Sequence, residues 1–417
     1  MNRLLCRLPN PAVRRLVIGE TISTYGTLVS ALALPFVALL YLHRGAGALA
    51  AVGLAEFVPG FACGLFAGVW VDRWSRRNVL VVTNAVRFGL VLLVPILAWR
   101  GHLTMTALVL IASATGMVGS LYAPAYRAIL PVLTSKAELT KVNSVIEGAN
   151  AAAEILAFAS AGVLVQLLRA PTAMLIDACT FLVATGFAAS LPATPPSIAR
   201  GARRRIMVEL REGLATVSQH RVLRPLAGSS LSGGVYRGLA STLFVLHVTR
   251  TLGYRPGPQG FVYAIGGAVS LFAAATAPRV IGRFGDGRTA VTGLALGSAA
   301  LLFVVYAPRP SVVGYSMLAA QQVFGDFTMA FSIIAVVGIR QRHTPDGARG
   351  RVEGAIGTAA TLGTVVGMAL AAWLGDPARF GSRGGLLLAA AMGVVAAVVL
   401  APVWTDRAPT ERQPTDC

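Results

Sequence analysis

The sequence predicts an all-α integral membrane protein with twelve transmembrane helices in two pseudo-symmetric six-helix bundles. Three observations lead to this fold class. Of the 417 residues, 55% are hydrophobic and only 13% are charged, which is about half the charged share of soluble domains. Apolar runs near the 20 residues that cross a bilayer recur along the chain. The longest interval without such a run lies near the middle, at 193–222, and separates six runs from six.

Each predicted span is a mostly apolar run long enough to cross the hydrocarbon core. In order, the spans are 16–42, 47–71, 78–99, 104–126, 140–168, 172–192, 223–249, 258–279, 288–307, 311–339, 353–374 and 383–404. They define an N-terminal bundle (1–192), a cytoplasmic central loop (193–222), a C-terminal bundle (223–404) and a cytoplasmic tail (405–417). The central loop is rich in Pro and Arg and becomes amphipathic toward its end.

The basic residues follow the predicted topology. With the N-terminus in the cytoplasm, 26 of the 36 Lys and Arg residues lie in inside segments, 8 lie in outside segments and 2 lie within spans. This asymmetry is the positive-inside pattern, so the net charge of +19 does not require a nucleic-acid partner. We expect a multi-pass protein with both termini in the cytoplasm. Only Lys136 and Lys141 are lysines, a composition typical of a GC-rich bacterium, which places the protein in the bacterial inner (plasma) membrane.

The sequence lacks the residues that several classes of protein function need. The four cysteines show no metal-ligand or redox spacing, and no Ser-His-Asp set or Walker loop is visible. The sequence therefore predicts no enzyme activity, no metal and no cofactor, and it leaves a proton gradient as the energy source.

One loop carries a recognisable pattern. Span 2 ends in GVWVDRWSRR at 68–77, where a glycine that permits close helix packing precedes an acidic residue and clustered arginines. The pattern resembles the signature between spans 2 and 3 of the major facilitator superfamily, with Ser75 in place of its second glycine. A weaker echo, RVIGRFG at 279–285, fits two related halves. The resemblance implies a gate formed by Gly68, Asp72, Arg73, Arg76 and Arg77, with Arg127 and the start of span 11 as partners.

Shorter matches point to a subgroup. The stretches PAYRA at 124–128, DACTF at 177–181 and RGRV at 349–352 resemble exporters related to the enterobactin and macrolide efflux proteins. This resemblance favours export over uptake.

Ionisable residues within spans are costly and mark functional sites by default. The proton-coupling or substrate candidates are Glu20, Glu56, Arg87, Glu147, Glu154, Asp177, Arg237 and Asp326. Glu147 and Glu154 are seven residues apart and share one helix face. The alternative is structural: Arg87 paired with a carboxylate would lock helices together. Related exporters often place an acidic residue just after a glycine in span 1, whereas this chain has Gly26 followed by Thr27, which leaves Glu20 as the span 1 candidate.

These observations predict a monomeric secondary transporter that exports an amphipathic small molecule, a drug, antibiotic or siderophore-like metabolite, by proton antiport and alternating access. Its partners are that substrate, protons and membrane lipids. Two alternatives stay open at this point. One is a proton-coupled importer of a nutrient or siderophore in the same fold, and the other is a membrane sensor or scaffold without transport.

Overall fold

A computed structural model describes residues 10–71, 73–135, 138–193 and 206–406. Within these residues the regular structure is helical, and no strand forms. The first half contains α1 (Pro11–Phe36), α2 (Ala46–Val71), α3 (Arg76–Trp99), α4 (Met105–Leu133), α5 (Leu139–Leu168) and α6 (Ala170–Ala189). The second half contains α7 (Ile206–Gln219), α8 (Leu223–Leu246), α9 (Pro256–Phe284), α10 (Asp286–Ala299), α11 (Leu301–Val305), α12 (Val312–Ala320), α13 (Phe327–His343), α14 (Arg349–Leu374) and α15 (Gly381–Leu400).

Short π-helices and 3₁₀ turns extend some of these helices. A π-helix at Val37–Tyr41 continues α1, another at His247–Thr251 continues α8, and a third at Gln321–Asp326 joins α12 to α13. A π segment holds one extra residue per turn, changes the direction of the side chains that follow, and occurs frequently at functional sites. The 3₁₀ turns Asp346–Ala348 and Ala401–Val403 precede α14 and follow α15.

Eleven helical segments of the described chain are long and apolar enough to cross a membrane. They match eleven of the twelve predicted spans. The predicted seventh span corresponds to α8, which has 24 residues but falls short in hydropathy, because serines, glycines and Arg237 interrupt its apolar residues. The structure adds α7 within the central loop, where Glu212 pairs with Arg351 of α14.

The chain divides into two compact units. The first unit comprises the described residues up to 193 together with 245–267 and 375–379. In this unit α1 packs against α5 and α6, α3 packs against α4 and α6, and α2 packs against α4. Glycines set the closest approaches: a Cβ on Gly116 of α4 would lie 2.0 Å from the Glu56 carbonyl oxygen of α2.

The second unit comprises the described residues 206–244, 268–374 and 380–406. Here α10 packs against α13 and α15, and α7 packs against α14. Gly234 and Gly238 of α8 meet Gly363 and Gly367 of α14, where an added Cβ would come within 2.0–2.4 Å of the facing backbone. Small residues at such crossings let helix backbones approach closely where no hydrophobic effect drives association.

Candidate functional site

Asp177 is the most deeply buried of the predicted intramembrane charges. Only 2% of the Asp177 surface is exposed, and the residue lies in the middle of α6. The Thr180 hydroxyl donates to the Asp177 carbonyl oxygen at 2.8 Å and lies 3.5 Å from its Oδ1, and the Thr27 hydroxyl of α1 lies near the carboxylate. The Ser30 hydroxyl faces it from one turn further along α1, without a hydrogen bond of regular geometry. Hydroxyl groups of two helices therefore lie around this carboxylate.

Gly26 makes this arrangement possible. A Cβ at position 26 would lie 2.0 Å from Thr180 Oγ1 and 2.9 Å from both the Cα and the Oδ1 of Asp177. Such close contacts would displace the neighbouring atoms, and the contact with the Asp177 Cα would displace backbone. The α1–α6 crossing thus depends on glycine at this position, and it brings Thr27 beside Asp177.

Arg87 connects this carboxylate to two others. Its guanidinium stacks over the Phe181 ring of α6, 4.1 Å from the ring centre, a cation–π contact that is strongest when water is excluded. It interacts electrostatically with Asp177, Glu20 and Glu56. Its Nε is buried and has no hydrogen-bond partner among the described residues. This one cation is therefore near three carboxylates, the buried Asp177 of α6, the half-buried Glu20 of α1 and the exposed Glu56 of α2, and forms no salt bridge of 4 Å or less with any of them.

Glu20 has a second partner in this cluster. The Tyr122 hydroxyl of α4 donates a hydrogen bond to its carboxylate. Tyr122 stacks on Tyr126, with ring centres 6.0 Å apart. Helices α1, α2, α3, α4 and α6 thus each supply a member. We call Glu20, Glu56, Arg87, Tyr122 and Asp177 the charge cluster.

The two acidic residues of α5 lie outside the charge cluster. Glu147 and Glu154 are both exposed, in agreement with a shared helix face. Glu147 interacts electrostatically with Tyr126, which places it at the periphery of the charge cluster. Glu154 has no hydrogen bond or ion pair with a described residue.

The remaining predicted charges lie in the second unit. Arg237 of α8 and Asp326, the last residue of the π-helix between α12 and α13, both line a cavity of about 450 Å³. Tyr236 also lines this cavity and interacts electrostatically with both charges. Its lining also includes apolar residues, namely Leu294, Met329, Ile333, Val336 and Leu400. The structure therefore divides the eight candidates into three groups: four in the charge cluster, two exposed on α5 and two at this cavity. The charge cluster and the cavity belong to different units.

Comparison with known proteins identifies the family. The model of the Major Facilitator Superfamily matches residues 16–306 and 226–416, which is more than half of the chain. The chain belongs to this superfamily. It is therefore a multi-pass membrane protein of a transporter family, and the fold class expected from the sequence is confirmed.

Among relatives, the multidrug efflux pump Tap of Mycobacterium tuberculosis is 26% identical over 383 residues, with 87% of each chain covered. The uncharacterized MFS-type transporter YfiS of Bacillus subtilis is 24% identical over 389 residues, with 89% of this chain and 90% of YfiS covered. Among solved structures, the nucleoside transporter NupG is similar with a TM-score of 0.77 at 12% identity, over 95% of this chain and 100% of NupG. A bacterial homologue of the iron transporter ferroportin has a TM-score of 0.73 at 16% identity, over 94% and 98% of the two chains. These structures show the fold alone.

The predicted gate loop of this superfamily member is described only in part. Asp72 lies outside the described residues, and Gly68 belongs to the last turns of α2. Arg73 and Arg127 are exposed, and Arg76 begins α3. The Arg77 guanidinium donates to the Ala189 carbonyl at the end of α6, a favourable place for a cation because helix C-termini carry partial negative charge. The role of the loop as a gate stays a prediction.

Next to the similar sequence at 279–285, the second unit contains an ion-pair network that was not predicted from the sequence. Asp286 pairs with Arg342 at 3.0 Å, and Arg342 also reaches Asp406 at 3.1 Å. His343 Nε2 lies 3.4 Å from Asp406. A signal was available, because Gly282 precedes Asp286 by four residues, as Gly68 precedes Asp72. The hydroxyl partners of the charge cluster, Thr27 and Tyr122 among them, carried no such signal, since polar uncharged residues are common in apolar helices.

Proposed function

We propose that this transporter exports an amphipathic small molecule in exchange for protons, with the charge cluster as the proton-coupling site. The observation that carries the proposal is the composition of the charge cluster. Three carboxylates, Glu20, Glu56 and Asp177, lie within electrostatic range of the single guanidinium of Arg87, and Asp177 among them is buried. Uncompensated charge in a low-dielectric site is costly. One cation balances one carboxylate, so a neutral cluster contains two exchangeable protons.

The proposed coupling follows from this balance. When a proton binds one carboxylate, the guanidinium loses an electrostatic partner and moves toward the remaining carboxylates. Because the carboxylates lie on α6, α1 and α2, this movement changes which helices Arg87 holds together. A change of that kind biases a two-state helix arrangement, which is the requirement for alternating access. Gly26 and Thr27 keep α1 in contact with Asp177 during the exchange.

Export is proposed from the likeness to Tap, whose name describes an efflux pump, together with the short sequence matches to exporters. The positive-inside distribution supports cytoplasmic termini in a bacterial inner membrane. We propose that the chain works as a monomer without a cofactor, and that protons, lipids and the transported molecule are its partners. Uptake of a nutrient or siderophore, and a sensor without transport, are the alternatives that the experiment below separates.

The test is transport in everted membrane vesicles that carry this chain alone. A fluorescent amphipathic dye is supplied outside, and an inwardly acidic pH gradient is imposed and then collapsed with nigericin. Proton-coupled export predicts dye accumulation that nigericin abolishes. Accumulation that survives collapse of the gradient contradicts proton antiport. Gradient-driven loss of dye from vesicles that were loaded with it beforehand favours the importer, and no movement of any tested solute favours the sensor.

Two variants assign the coupling to the charge cluster. Asp177→Asn removes a carboxylate that three hydroxyl groups surround, and we expect it to abolish the response to the gradient. Glu154→Gln is the matched control, because it removes one exposed carboxylate outside the charge cluster. Equal gradient responses in the two variants would contradict the assignment.

A further inference from the structure

Residues 401–406, which follow α15, are attached to the start of α10. The Gly287 amide donates a hydrogen bond to the Asp406 carbonyl oxygen at 3.1 Å. An added Cβ on Gly287 would lie 2.7 Å from the Trp404 carbonyl oxygen, so the two backbones approach closely because glycine stands at this position. We call residues 401–406 the C-terminal segment.

The Asp406 side chain attaches this segment to the end of α13. Its Oδ2 lies 3.1 Å from a guanidinium nitrogen of Arg342, and its Oδ1 lies 3.4 Å from His343 Nε2. Because arginine stays charged at every pH that proteins tolerate, the contact with Arg342 is present whatever the acidity. The contact with His343 depends on pH, since histidine is the side chain whose charge ordinarily changes between about pH 5 and pH 8.

The hydrogen bonds of His343 fit its charged form. Its Nδ1 lies 2.9 Å from the Ile339 carbonyl oxygen, and a carbonyl oxygen only accepts, so Nδ1 carries a hydrogen. A neutral imidazole has a single N–H group, so neutral His343 would turn an Nε2 lone pair toward the Asp406 carboxylate, one acceptor against another. The imidazolium donates to both partners.

A second histidine beside it fits the neutral form. His220 Nδ1 accepts hydrogen bonds from the backbone amides of Val222 and Leu223, at 3.2 and 3.3 Å, where α8 begins. A proton on this nitrogen would make it a donor and break both bonds. The His220 and His343 rings meet edge to face with their centres 6.0 Å apart, so a charge on one ring disfavours a charge on the other.

We infer that His343 is a proton-operated latch for the C-terminal segment. The charged imidazole holds the segment against α13 and α10, and loss of the proton as the pH rises weakens this attachment. The charged or titratable groups that meet at the latch in the described chain are Asp406, Arg342, Asp286 of α10 and His220. The His343 side chain is 27% exposed, so protons from the surrounding water reach it.

The latch acts on elements that also form the cavity of the second unit. Residues of α10, α13 and α15 line that cavity, and the C-terminal segment directly follows α15. The protonation state of His343 therefore changes how firmly these three helices are held together at one end. Protonation of histidines is a general way in which proteins convert pH into a change of packing.

The inference goes beyond the proposed function and does not depend on transport. It is tested by amide hydrogen exchange on the purified full chain in detergent, without substrate or gradient, at about pH 6 and about pH 8. Mass spectrometry reads the rates residue by residue, and each rate is corrected for the intrinsic effect of pH. We expect the Gly287 amide to exchange about fivefold faster at the higher pH, the change in an opening equilibrium that a partly exposed ion pair produces.

Substitutions of the two histidines separate their effects. His343→Gln and Asp406→Asn each remove the pH dependence at Gly287. At the start of α8 we expect the opposite sign, with faster exchange at the lower pH, and His220→Asn removes that dependence alone because asparagine still caps a helix at any pH. The matched control is His102→Gln, which replaces an exposed histidine of the first unit and leaves both dependences unchanged.

Three results would overturn the inference. The first is equal exchange of the Gly287 amide at the two pH values in the wild type. The second is faster exchange at the lower pH, which would show that protonation of Asp406 releases the segment. The third is a pH dependence at Gly287 that persists in His343→Gln. Should Asp406→Asn fail to fold, His343→Gln and His220→Asn decide the question.

Discussion

Gly26→Ala tests whether the crossing of α1 and α6 builds the charge cluster. The new Cβ would lie 2.0 Å from Thr180 Oγ1 and 2.9 Å from the Asp177 Cα. Overpacking of this kind costs about 1–3 kcal/mol. The upper part of the range applies, because rotation of Thr180 relieves the first contact but not the contact with backbone. Alanine's higher helix propensity offsets about 1 kcal/mol, so we expect a net loss of about 2 kcal/mol.

The measurement is the free energy of unfolding in mixed micelles, combined with gradient-driven transport in vesicles. Gly186→Ala is the matched control: it also lies on α6, but it is exposed and nothing lies within 4 Å of its added Cβ. We expect the control to be at least as stable as the wild type and fully active, whereas Gly26→Ala is less stable and poorly coupled. If the two variants were equally stable and equally active, the close approach at Gly26 would not be what holds Asp177 in place.

Three further substitutions test other parts of the structure. Arg87→Met removes the guanidinium over the Phe181 ring, so we expect a loss of about 2 kcal/mol of stability together with the loss of coupled transport. Wild-type stability and wild-type coupling in this variant would contradict a role for Arg87 in the charge cluster. Gly363→Ala would place a Cβ 2.0 Å from a carbonyl oxygen of α8, whereas the Cβ of Gly357→Ala meets nothing within 4 Å. We expect Gly363→Ala to have the lower melting temperature, and equal melting temperatures would contradict the close packing of α8 and α14. Arg342→Gln should destabilise the second unit more than Asp406→Asn, because the Arg342 partner Asp286 is nearly buried, whereas exposed pairs contribute at most about 1 kcal/mol. The free energies of unfolding measured with a denaturant give the order, and the reverse order would contradict the proposed network.

The positions of the helices were predictable because the physics is local. A run of 20 apolar residues crosses a bilayer whatever its neighbours are, and eleven of the predicted spans match apolar helices. The α8 helix shows the limit of this reasoning. Its serines, glycines and Arg237 lower its hydropathy, and its glycines are there to meet Gly363 and Gly367 of α14, which composition alone does not show.

The assembly of the charge cluster from separate helices was not predictable from one sequence. Glu20, Arg87 and Asp177 are far apart along the chain, and the helix crossings that unite them depend on glycine contacts between specific turns. Position 27 in span 1 is an example. Thr27 takes the position where related exporters often have an acidic residue, and the structure places the Asp177 carboxylate of α6 beside it. The π-helix that brings Asp326 and Gln321 to one cavity likewise left no signal in the pattern of apolar residues.

The central claim is that the charge cluster binds the protons that are exchanged for the transported molecule. Its most direct test is proton release from the purified protein in unbuffered detergent solution, recorded with a pH indicator when a transported amphipathic molecule is added. The account predicts proton release by the wild type and by Glu154→Gln, and none by a variant in which Glu20, Glu56 and Asp177 are all replaced by their amides. Undiminished proton release from that triple variant, with the molecule still bound, would contradict it.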